Sequence, residues 1–103
     1  MRVMIEFSFP TPSGNEVIRS GKIDKFFRQI NEDLKPEAAY FFPVGGVRGG
    51  IFIVNMTESS QVADIGERFW FGIQATVKMT PVMNPDDLMK ALGNIGKVVK
   101  NYG

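Results

Sequence analysis

Residues 38–56 read AAYFFPVGGVRGGIFIVNM, and the fold follows from how this stretch is read. Ala38-Ala39-Tyr40-Phe41-Phe42 is aromatic-rich, and Ile51-Phe52-Ile53-Val54 is β-branched and aromatic. Both compositions suit a pleated, packed surface. Between them Gly45, Gly46, Gly49 and Gly50 offer positions where positive φ carries little penalty. The stretch therefore predicts two strands joined by a glycine-rich turn. A strand with one wet face alternates apolar and polar residues, but these two are apolar at nearly every position, which predicts a sheet covered on both faces. Helices of the same chain can supply one cover. The other has no source within the chain and points to a second subunit: a homodimer through the sheet face, with the C-terminal segment reaching over the partner. An isolated monomer would expose a larger apolar patch than soluble monomers carry.

The rest of the composition narrows the chemistry. At 103 residues the chain makes one domain, residues 1–103, with 44% hydrophobic and 22% charged residues. A net charge of +1 gives no global basic field to attract nucleic acid or a membrane surface. There are no cysteines and no histidines. That removes disulfides, thiolate chemistry, Ser-His-Asp and Cys-His arrangements, and histidine metal ligands. The lack of cysteine fits a cytoplasmic protein. The N-terminus meets charges at Arg2 and Glu6, too early for a signal-peptide core, and no apolar run approaches the roughly 20 residues that span a bilayer.

Taken in order, Val3, Ile5, Phe7 and Phe9 share one face of a first strand by period two. Pro10-Thr11-Pro12-Ser13-Gly14 is expected to end it, with Asn15 capping a short turn through Arg19. Ile23, Phe26, Phe27, Ile30 and Leu34 recur at helical spacing, with Asp24, Arg28 and Glu32 down the outer face. After Met56, Thr57-Glu58-Ser59-Ser60 offers N-caps for a second helix. Its expected buried stripe is Val62, Ile65, Phe69 and Ile73, with Gly66 allowing close approach to the sheet. Trp70 flanks that stripe and Phe71 falls opposite it. Ala75 to Val82 predicts a last strand, with Val77 and Met79 inward. Asn84-Pro85-Asp86-Asp87 reads as a helix start, with Leu88, Leu92, Ile95 and Val99 as the following apolar stripe.

The order is β-α-β-β-α-β with an extra C-terminal helix, which predicts an α+β, ferredoxin-like fold. In pattern the whole chain resembles the dimeric α/β-barrel superfamily, whose members pair the open faces of such sheets. More narrowly, Leu34-Lys35-Pro36-Glu37-Ala38-Ala39-Tyr40-Phe41 and Pro81-Val82-Met83-Asn84 are similar to a small bacterial family of about this length. The resemblance implies the fold and the dimer, and carries no catalytic residue onto this chain.

Several residues invite a functional reading beside a plain one. Glu67 on the second helix is either a carboxylate facing a pocket, its pKa raised by burial, or a solvated flank. Trp70 and Tyr40 are either walls of a ligand cavity or core and interface aromatics. Glu6 and Lys78 face each other if the first and last strands are neighbours, which reads as a structural pair. Residues Arg48 to Asn55 partly match a ribonucleoprotein strand motif, but two of its three aromatic positions are Gly50 and Asn55, so the base-stacking platform is missing. Asp86 and Asp87 serve as dipole partners rather than a metal site, and the glycines at 45 to 50 lack the lysine and helix of a phosphate-binding loop. The reading calls for no cofactor, metal, nucleic acid or membrane. Its ligand-binding set is Tyr40, Asn55, Glu67 and Trp70, around a small, mostly apolar ligand held between sheet and helices. Two alternatives stand beside it: a cofactor-independent isomerase or monooxygenase, and a purely structural or regulatory dimer.

Overall fold

The computed structural model describes all residues, 1–103. Strand β1 (Arg2–Ser8) alternates buried and half-buried residues, as a period-two strand with one covered face must. Val3, Ile5 and Phe7 point to the helices, and Phe9 continues the row past the strand end. Strand β1 lies at the centre, antiparallel to both neighbours, in a four-stranded sheet of order β2-β3-β1-β4, with β2 at Ala38–Phe41, β3 at Gly49–Asn55 and β4 at Thr76–Pro81. Order and direction are compatible with the ferredoxin-like arrangement.

The chain leaves β1 through a proper helix, α1 (Thr11–Arg19), rather than the interruption its prolines suggest. Pro12 sits in the first turn, where a backbone N–H has no intrahelical acceptor to lose. The helix therefore starts four residues before Asn15. Gly21, at φ 76°, turns the chain through the left-handed region into α2 (Lys22–Leu34). Arg28 and Asp24 pair at 3.0 Å on its outer face. Ile30 is its fully buried residue, and Ile23, Phe26, Phe27 and Leu34 pack half-buried against the core.

In the hairpin, only two of the four glycines use positive φ. Gly45 (58°) and Gly46 (83°) form the centre of a tight turn closed by reciprocal Val44–Val47 backbone hydrogen bonds of 2.8 and 3.2 Å. Two successive positive φ values make it a type I′ turn, which matches strand twist. Gly49 and Gly50 serve the sheet instead. A Cβ on Gly49 would stand 2.3 Å from the Phe7 carbonyl oxygen, and one on Gly50 2.3 Å from that of Tyr40.

Helix α3 (Gln61–Ile73) buries Ile65, Gly66, Phe69 and Ile73. Val62 has the same azimuth but is 50% exposed, because it sits in the first turn and burial begins at Ile65. Gly66 admits the ring of Trp70, one turn on, rather than the sheet: a Cβ there would lie 2.8 Å from that ring. No Ser or Thr hydroxyl caps α3. The Gln61 side-chain oxygen instead accepts from the Thr57 and Glu58 amides at 2.6 and 2.9 Å. The core is the layer between these helices and one sheet face. At its centre the ring of Phe7 meets those of Phe9, Phe27, Phe41, Phe52 and Phe69, with centroids 5.3–6.4 Å apart.

Helix α4 (Pro85–Tyr102) begins with a complete capping box between Asn84 and Asp87. None of its eighteen residues is buried. Its apolar stripe, Leu88, Leu92, Ile95 and Val99, is present and unpartnered. The molecule is accordingly elongated, 58 × 27 × 21 Å with a radius of gyration of 17.0 Å, against about 13 Å for a compact chain of this size.

Candidate functional site

The aromatic cluster does not close at the end of the sheet where β1 runs into α1. Phe9, Ile23 and Phe27 on one side and Phe41, Phe42 and Pro43 on the other bound a cleft of about 340 Å³. Phe41 belongs to the cluster on one edge, packing edge-on to Phe27 at 5.2 Å and to Phe52 at 5.8 Å, yet is 60% exposed on the other. It can be so because β2 is an edge strand with β3 on one side alone. Gly49 and the buried Phe7 also line the cleft.

One charged side chain lines this cleft, Arg48. Its backbone carbonyl accepts from the Phe9 amide at 3.0 Å, which ties the hairpin to the β1–α1 junction. Its guanidinium lies over Gly14 of α1, where a Cβ would stand 3.0 Å from Nη1. The other four arginines all meet carboxylates: Arg2 pairs with Glu37 and Asp87, Arg19 with Glu16, Arg28 with Asp24, and Arg68 with Asp33 and Asp64. Arg48 has no acidic partner.

A second, more polar cleft of about 430 Å³ lies at the root of α4, lined by Met1, Arg2, Glu37, Asn55, Met83 and Asp87, with Val82. Its polar groups are largely engaged with one another. The terminal amine donates to the Asn55 side-chain oxygen at 2.8 Å and to the Met56 carbonyl at 2.9 Å. The Asp87 carboxylate accepts from the Asn84 amide at 3.0 Å and from Arg2. The Asn84 amide, with Arg2 adding to it against some desolvation, holds the Asp87 carboxyl below the usual aspartate range. Arg2 is pushed above its ordinary value, first by its hydrogen bond to Glu37. This cluster fastens α4 to β1.

The residues singled out from the sequence are not brought together. Register places Tyr40 in a cross-strand row with Ile51, Glu6 and Lys78, on the sheet face away from the helices. Glu6 and Lys78 are direct neighbours there, as expected, without closing an ion pair. Glu67 and Trp70 lie on α3, on the other side of the sheet. Glu67 is exposed, and Trp70, 43% exposed, lays its ring over Gly66. Asn55 stands at the far end of β3, beside the N-terminus. Tyr40, Glu67 and Trp70 line none of the five principal clefts, and Asn55 alone of the four lines one.

Arg48 is not among the site residues that the sequence singles out, although a signal is present. It is the one charged residue between Glu37 and Glu58, set among aromatics and glycines. No acid lies close enough in sequence to neutralise it locally. No family model and no curated protein sequence matches the chain, so its functional reading rests on this geometry. No group of acidic side chains converges to hold a metal ion, and no helix is long and apolar enough to cross a membrane.

Proposed function

We propose that the protein binds a small, mostly apolar ligand between sheet and helices, in the cleft bounded by Phe9, Phe27, Phe41 and Phe42. The observation that carries this reading is the cleft itself. It is 340 Å³ of aromatic-lined space, within the range of small-molecule sites, opening directly onto the core. Binding is favoured over an isomerase or monooxygenase because no carboxylate, amide or hydroxyl side chain lines it, and proton transfer needs such a group within reach. The test is a titration of uniformly ¹⁵N-labelled protein with 3-phenylpropan-1-ol. Amide shifts should concentrate at Phe41, Phe42 and Gly49; shifts scattered over the surface, or none, would overturn the reading.

The unit that binds is, on this proposal, a homodimer of the dimeric α/β-barrel type. Support comes from two unpartnered surfaces of one chain. The sheet face away from the helices presents Met4, Ile51, Ile53 and Tyr40 around Glu6 and Lys78, and α4 presents the apolar stripe Leu88, Leu92, Ile95 and Val99. Helix α4, about 27 Å long at 1.5 Å per residue, is long enough to cross a sheet of four strands spaced about 4.8 Å apart. Two copies related by a two-fold axis would bury both surfaces reciprocally. The resemblance to a family of dimers points the same way.

A further inference from the structure

We infer that the ligand of the aromatic cleft is an apolar monocarboxylate, and that Arg48 receives its carboxylate. The inference rests on the binding role proposed above and adds the chemical class of ligand. Every other arginine of the chain is matched by an acid of the chain. Arg48 alone is unmatched, and it is also the one charged group on a cleft otherwise made of aromatic and aliphatic side chains. The acid missing from the chain is supplied by the ligand.

The chemistry selects the anion. A guanidinium presents a planar fork of donors that matches the two oxygens of a carboxylate. One cation balances one negative charge. A phosphate monoester, near −2 at neutral pH, would keep about half its charge uncompensated beside phenylalanine rings. The ligand's other end must be apolar, since Phe9, Phe27, Phe41 and Phe42 offer no donor or acceptor side chain to satisfy a buried polar group. The backbone of Arg48 is fixed at this edge of the cleft. Its own carbonyl is bonded to the Phe9 amide, and its guanidinium lies over Gly14, a position with no side chain to displace it. Arg48 is exposed, so its replacement removes the recognition without emptying the core.

The experiment compares 3-phenylpropanoate with 3-phenylpropanamide, nearly equal in shape, by calorimetry and by amide shifts at neutral pH. In the wild-type protein the acid should bind about tenfold more tightly than the amide, the advantage of one charge-assisted hydrogen-bonded contact. Arg48→Gln should erase that preference, bringing acid and amide to about equal affinity, and Arg48→Lys should keep part of it. If acid and amide shift Phe41, Phe42 and Gly49 with equal affinity in the wild type, the cleft binds ligands but the carboxylate assignment is wrong. If 3-phenylpropan-1-ol moves those amides and the acid does not, it is also wrong. If no probe moves them, the cleft reading falls and the carboxylate with it. The wild-type acid-to-amide ratio decides the matter even if the glutamine variant folds poorly.

Discussion

Phe27 and Phe69 show how burial and availability differ between residues of one cluster. Both touch Phe7 and Phe52. Phe69 is completely buried, whereas Phe27 is half-buried and forms a wall of the cleft. Replacing a buried phenylalanine by alanine removes its transfer free energy and leaves a cavity, together about 3–5 kcal/mol. Phe69→Ala should cost that much in chemical denaturation. Phe27→Ala should cost less, about 2–3 kcal/mol, because part of its surface is already wet and the lost wall merges with an existing cleft. Losses in the reverse order would show that the cleft is closed in solution. Arg48 belongs to the same scale: its position matters for what it faces and not for what it stabilises.

Among the elements, α4 is held by its first turn. The Asn84–Asp87 capping box and the Arg2–Asp87 pair act at its start, and nothing buries the remainder. Asp87 has a lowered pKa in the folded chain and the ordinary aspartate value, about 4, in the unfolded one. Its contribution is therefore fully present above that ordinary value and is lost as the pH falls through the lower, folded one. On acidification from pH 5 to pH 2, amide-exchange protection at Asp87 and Leu88 should fall before protection in β1 does. Asp87→Asn should weaken that protection already at neutral pH and remove the acid-dependent step. An acid step that survives in the variant would assign it to another group.

At the scale of the whole molecule, the elongation is the informative quantity. A radius of gyration of 17.0 Å for a chain with a well-packed α/β layer means that one element stands away from it. That element is amphipathic, and an apolar stripe in water is unfavourable unless something covers it. Light scattering at micromolar concentration should give twice the 11.5 kDa chain mass. Placing two charges on the stripe, Leu92→Glu with Ile95→Glu, should return the monomer mass without loss of the β-sheet signal, since neither residue is buried in the single chain. A wild-type protein that remains monomeric would remove the dimer from the proposal.

Strand β1, the core stripes of α2 and α3, the inward residues of β4 and the start of α4 were all legible in the sequence, because each depends on local periodicity or on a cap made by neighbours in the chain. The α+β class followed from their order. Local reading failed where the cause is distant. Helix α1 begins at its prolines because first-turn amides need no partner. Gly49 and Gly50 answer to carbonyls on adjacent strands rather than to their own φ. Val62 is exposed although its periodicity is right. Tyr40, Asn55, Glu67 and Trp70 lie apart for a related reason: residue type and helical spacing do not say which face of the sheet a strand residue occupies. Strand register decides that, and it sets Tyr40 across the sheet from Trp70. It also leaves Arg48, drawn from a turn, beside phenylalanines contributed by β1, α2 and β2, because only the folded chain brings those three elements to one edge.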